Sequence, residues 1–171
     1  MADESQLSLL KQGVERWNLW RSSHPGLAID LSDADLSKAN LSGVDLHAVN
    51  LDGSNLSKAN LSGANLSGAN LHVANLSKAN LSRANLSRAI LYIANLEKAD
   101  LHQATLANAD LSWAGLISAN LQAANLQSAN LHGANLKAAS LDGADLTHAI
   151  LTQTVLDRSD IQNATLKGRQ S

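Results

Sequence analysis

The 171-residue chain contains no cysteine, so neither a disulfide framework nor a thiolate metal site is available to it. It contains no phenylalanine, one tyrosine and three tryptophans, which fits an interior too narrow for rings. Charge is scarce and balanced: 13 Lys and Arg face 15 Asp and Glu, and a formal net charge of −2 supports neither general nucleic-acid affinity nor strongly acidic mimicry of a nucleic acid. No run of 18 apolar residues occurs, and the start Met1-Ala2-Asp3-Glu4-Ser5 is acidic without a signal-type apolar segment. The expected compartment is the cytoplasm, with no membrane contact.

What the chain has in abundance is leucine, at a period of five. From Leu31 to Leu166 the spacing holds for 28 consecutive positions, 27 of them Leu and one Ile161. Two residues before each centre stands Ala in 22 repeats, the departures being Ile29, Val44, Val49, Ser54, Thr154 and Ser159; one residue before it stands Asn or Asp in 21. The consensus is Ala-(Asn/Asp)-Leu-Ser-x, as in Ala59-Asn60-Leu61-Ser62-Gly63. Neither the helical period of 3.6 nor the strand period of 2 would place all these leucines on one side, so the chain must turn every five residues. Asn, Asp, Ser and Gly suit such corners because they tolerate unusual backbone angles or hydrogen-bond nearby amides. Lys38, Lys58, Lys78 and Lys98 recur every 20 residues, which makes four repeats one coil.

On these residues the chain resembles the pentapeptide repeat proteins, of the cyanobacterial type with Leu-centred repeats. The resemblance implies an all-β solenoid, a right-handed quadrilateral β-helix of about seven coils with Leu and the preceding Ala filling the interior. At a coil spacing of roughly 4.8 Å the rod would be about 34 Å long. The expected organisation is a capping helix and turn over residues 1–26, the repeats over 27–166 and a tail over 167–171. One coil cannot cover its own leucines, so stability must come from stacking, and the ends need lids.

Residues 5–22 read as a single amphipathic helix, with Leu7, Leu10, Val14 and Trp17 at spacings of three and four. Ser5 or Asp3 is placed to cap its start, and His24-Pro25-Gly26 to end it. With the extra apolar load of Trp20, this is the expected lid on the first coil. The carboxyl end has no second helix, which makes pairing with another copy through that end, and hence a homodimer, the expectation there.

Stacking residues 20 apart unrolls the surface into columns. One brings Val73, Ile93 and Trp113 into successive coils, joined by His72, Ile90 and Tyr92, and on a surface otherwise of Ser, Asn, Lys and Gln this is a candidate protein-interaction patch. A second is the basic ladder Lys38, Lys58, Lys78 and Lys98, whose repulsion an anionic group would relieve. No aromatic residues interleave with it for base stacking, so nucleic acid is not the expected partner. The third column, Asp52, His72, Tyr92, Ser112 and His132, resembles a nucleophile with a base, yet a flat solenoid wall lacks the pocket and oxyanion site that hydrolysis needs. The six histidines never stack in adjacent coils, so no metal site and no cofactor is expected.

The resulting expectation is a non-catalytic scaffold or protein-interaction module. The family resemblance brings one alternative, since some pentapeptide repeat proteins mimic DNA and bind type II topoisomerases. Such mimics are strongly acidic and dimerise through aromatic-rich carboxyl ends, whereas this chain is near neutral and has no aromatic residue after Trp113.

Overall fold

The computed structural model describes residues 1–156 and 163–166. From Leu31 to Leu151 each central Leu opens a four-residue turn: the N–H three residues on donates to its carbonyl, at 3.0 Å for Ala59 to Leu56 and for Ala94 to Leu91. The second residue inside the turn has φ between 54° and 61° wherever it is not glycine, and 63–69° at Gly43, Gly53, Gly63, Gly68, Gly133 and Gly143. Positive φ at that position alone is the signature of a type II turn.

The five-residue period therefore comes from a turn in every repeat. Four turns complete a coil, because each residue before a central Leu bridges its counterpart 20 residues on, in parallel, from Asp30 with Asn50 to Asn135 with Val155. These bridges are single residues. Among the described residues no extended strand forms, so each side of the coil is one bridge between two turns rather than a length of sheet.

Three backbone bonds per repeat join each coil to the next, as in Leu71 N–H to Ile90 O at 2.7 Å, Val73 N–H to Tyr92 O at 3.0 Å and Ile90 N–H to Ala69 O at 2.9 Å. Side chains repeat the pattern. The Asn or Asp before each Leu accepts the N–H two residues later, as Asn70 does from His72 at 3.1 Å, and amides stack along the rod, Asn70 donating to Asn50 and Asn50 to Asp30, each at 3.1 Å. Central leucines from Leu31 to Leu146 are buried together with the Ala two residues earlier, apart from the half-buried Ala39. The wider inward residues Ile29 and Val44 belong to the first coil and Val49 opens the second, all three buried, where the interior meets the lid.

The lid is two helices, not the single one expected over residues 5–22. α1 spans Glu4–Lys11 and α2 spans Val14–Ser23, broken at Gly13, whose φ of 124° no other residue type adopts readily. Asp3 is the N-cap of α1, its side chain accepting from the N–H groups of Ser5 and Gln6. The break turns Leu7, Leu10 and Trp17 together onto the first coil, with all three buried.

Two side-chain amides then stand in for the coil that is missing beyond it. Gln6 accepts from Asp30 N–H at 2.9 Å and donates to Ala28 O at 3.3 Å; Asn18 accepts from Asp45 N–H at 2.8 Å and donates to Gly43 O at 3.0 Å. The raw edge is thereby paired on two sides, which blunts its capacity to recruit another chain. Among the described residues no helix is long and apolar enough to cross a membrane. The degraded repeats at Ser159, Ile161 and Gln162, the tail over 167–171, and with them the end expected to pair with another copy, lie outside the described residues.

Several carboxylates carry these contacts. Asp30 and Asp35 are held below the ordinary carboxylate range, chiefly by the backbone N–H of Ser32 and of Ser37, and Asp145 chiefly by the hydroxyl of Thr147. A folded value below the unfolded one gives stability that is present above the unfolded value and lost as pH falls through the folded one. The rod is expected to lose stability below about pH 4. Replacing the three by Asn, which makes the same backbone contact without titrating, is expected to flatten that acid limb in denaturant titrations across pH.

Candidate protein-interaction corner

Each pair of turn residues after a central Leu makes a corner. The first corner carries residues 72–73, 92–93, 112–113 and 132–133 in successive coils, and the second carries 77–78, 97–98 and 117–118. The second side of the coil, with Asn75, Asn95 and Gly115 facing out, lies between them.

The column predicted from the sequence assembles on the first corner. Val73, Ile93 and Trp113 are 48%, 45% and 50% exposed, with Ile90 and Tyr92 exposed beside them. Tyr92 and Trp113 are positioned by neighbours. The Asp52 carboxylate lies 2.8 Å from His72 Nδ1, and the His72 ring stacks on Tyr92 with centroids 5.6 Å apart and planes 5° apart. Trp113 lies over Gly133, where a Cβ would come within 2.7 Å of the indole, and meets the His132 ring edge-on at 5.3 Å. His132 Nδ1 is 2.6 Å from the Thr152 hydroxyl. Around the patch the polar column gives way: Ile90 replaces the Asn or Asp of its side, and Gly115 that of the next.

Sequence reasoning did not name Gly133, Gly115 or Ile117. Ile117, 37% exposed on the second corner, extends the apolar area around the second side; its signal was an apolar residue at a position that usually holds Ser.

Residue type sets these positions apart from the other occupants of the turn. Val73 and Ile93 have φ of 54° and 57°, and Trp113 60°. Left-handed backbone costs an L residue roughly 1–2 kcal/mol, and a β-branched residue there is a true outlier. Elsewhere that turn position holds Gly, Lys, Arg, Asn, Gln, Ser, Ala, Asp or His; Val73 and Ile93 are its two β-branched occupants among the described residues, and they are stacked one on the other.

The lysine ladder occupies the second corner. Lys38, Lys58, Lys78 and Lys98 are all exposed at the left-handed turn position. Lys98 pairs with Glu97 at 2.9 Å, and that hydrogen bond, then the Lys98 charge, with Lys78 adding to it, holds the Glu97 carboxyl below its ordinary value.

The arrangement resembling a hydrolase comes apart. The Ser112 hydroxyl donates to Asp110 at 2.6 Å and His132 is engaged by Thr152, so serine and imidazole are each committed elsewhere. A depression of about 460 Å³ on the fourth corner is lined by Ser67, Gly68, Ser87, Arg88, Ala107 and Asn108, with no imidazole or carboxylate to serve as a base. Among the described residues no three His, Asp or Glu side chains are grouped to hold a metal ion.

The family model for pentapeptide repeats matches residues 29–68, 54–91, 94–133 and 129–168. The chain belongs to the pentapeptide repeat family. Among solved structures it is similar to the pentapeptide repeat protein Rfr23 from the cyanobacterium Cyanothece 51142, at 36% identity over 65% of this chain and 86% of that one, with a TM-score of 0.55. A pentapeptide repeat protein of the Arabidopsis thaliana thylakoid lumen shares 30% identity over 74% of this chain and 70% of that one, with a TM-score of 0.50. HetL, a pentapeptide repeat protein involved in heterocyst differentiation regulation in Nostoc, is 39% identical over 84% of this chain and 70% of that one, with a TM-score of 0.31. No curated protein matches. Pentapeptide repeat proteins are in general structural or interaction modules rather than enzymes.

Proposed function

We propose that this member of the family is a non-catalytic interaction rod, a right-handed quadrilateral β-helix that works in the cytoplasm and binds a protein through its first corner. The observation that carries this reading is the stacking of Val73 and Ile93, both β-branched and both in left-handed backbone, directly below the exposed Trp113. Drift at a solvent-facing turn would settle on residues that fit it, whereas this column keeps residues that do not. Apolar side chains with an aromatic anchor are what protein interfaces concentrate at their centres.

The test compares the natural protein with a Val73→Ser, Ile93→Ser, Trp113→Ser variant, first shown by circular dichroism to be folded, as baits in lysate of the source organism. A protein retained by the first and lost by the second is the expected result. Equal retention, or none by either, would remove the corner as an interface.

A further inference from the structure

The corner does not stand alone: one coil side away runs the lysine ladder, and the two together describe a partner. Along the ladder Lys98 is paired with Glu97, whose carboxyl also feels Lys78, so Lys58, Lys78 and Lys98 share that one carboxylate and the ladder keeps an excess of positive charge. Among the described residues neither Lys58 nor Lys78 has a carboxylate within salt-bridge distance. Across the second side Val73 faces Lys78 and Ile93 faces Lys98, with Lys58 one coil earlier, and the floor between them is low, formed by Asn55, Asn75, Asn95 and Gly115.

We propose, on the basis that the first corner is a protein interface, that its occupant is an acidic amphipathic helix lying along this side, parallel to the rod axis. Spacing selects a helix over a strand. Coils repeat at about 4.8 Å; a helix advances about 5.4 Å per turn, while a strand presents same-face residues about 6.8 Å apart. A helix thus stays within roughly 2 Å of register over the four coils from Lys58 to Trp113, one turn per coil, where a strand falls about 6 Å out of step. Its apolar stripe meets Val73, Ile93 and Trp113, and the carboxylates on its flank meet Lys58 and Lys78. Because those pairs stay at the solvent-exposed rim, they set orientation and partner choice and respond to salt.

The probe is a fluorescein-labelled peptide of about 18 residues, leucine along one helical face and glutamate along the flank, long enough to be partly helical by itself. Its counterpart carries lysine in place of glutamate. Binding to the full chain is read by fluorescence anisotropy at low ionic strength, after circular dichroism has shown each variant to be folded. The acidic peptide is expected to bind about tenfold more tightly than the basic one, a contrast that two or three exposed ion pairs supply. Lys58→Glu, Lys78→Glu is expected to reverse the order, with Lys58→Ala, Lys78→Ala merely levelling it. Val73→Ser, Ile93→Ser, Trp113→Ser is expected to lose both peptides.

Equal binding of the two peptides, with both lost in the apolar variant, would overturn the acidic helix and leave the corner as an interface. Acidic binding that survives the apolar variant would be general attraction to lysine and would overturn both readings. Binding of neither peptide overturns the helix, and the lysate comparison then decides the interface by itself.

Discussion

Ala94→Phe is expected to destabilise the rod by about 3 kcal/mol or more, lowering the thermal midpoint by roughly 10 °C. Ala94 is fully buried, flanked in its coil by Leu91 and Leu96, and a ring there has nowhere to go but against the facing wall. In an open sheet the wall would shift. Here, moving the fourth coil outward breaks bonds to both neighbours, such as Asn95 N–H to Ala74 O at 2.9 Å and Leu96 N–H to Gly115 O at 2.7 Å. One extra heavy atom is tolerated, since Ser54 occupies the equivalent position fully buried, although its hydroxyl finds no partner. Ala94→Ser should therefore melt close to the natural protein and Ala94→Phe well below it, as followed by circular dichroism on heating. A Phe variant that melts with the natural protein would mean that the interior is not closed.

Trp17→Ala is expected to cost about 3–5 kcal/mol, the range for truncating a buried tryptophan. Trp17 is fully buried against the first coil, its Nε1–H donates to Asp45 O at 2.7 Å, and its ring lies 5.4 Å from Trp20. The same contact area holds Arg21, buried, with Nη2 donating to His47 O at 2.9 Å, and the His47 ring 2.8 Å from the Asp45 carboxylate. Because coils contact only their neighbours, the loss is expected to be uneven. Amide hydrogen exchange should accelerate across the first coil, from Leu31 to Ala48, with the middle coils still protected. Uniform acceleration would show that the lid acts on the whole rod, and unchanged exchange that it is not a lid.

These two effects trace the part of the fold that was legible in the sequence. A leucine every fifth residue has one geometric solution that hides all of them, and Ala at the narrow position states the bore. Lysines at intervals of 20 gave the coil, and the bridges between residues 20 apart follow it. The lid was legible as apolar load, but its shape was not: helical spacing runs through Gly13 unbroken, and only the need to lay both Leu7 and Trp17 on one flat end bends the chain there. Gln6 and Asn18 were invisible because nothing in an isolated sequence says which polar side chain will meet an unpaired coil edge.

At the candidate site, periodicity assembled Val73, Ile93 and Trp113. It could not reveal Ile117, which belongs to a different column and joins the patch only across a coil side. Nor could it show that the indole needs the missing Cβ of Gly133. Least legible was the backbone cost, since the residue types at the turn do not themselves report the sign of φ.

That backbone cost ties stability to binding at the first corner. If the first corner keeps Val73 and Ile93 for binding at the expense of backbone strain, Asn at both positions, which accepts left-handed backbone, should relieve strain and abolish binding together. The direct measurement is thermal unfolding and lysate capture of the Val73→Asn, Ile93→Asn variant beside the natural protein. The expected result is a thermal midpoint that is unchanged or higher, by up to about 1 kcal/mol in stability, with capture through the corner lost. A midpoint lowered by the equivalent of about 1 kcal/mol, the usual price of trimming half-buried aliphatic groups, or capture that persists, would contradict it.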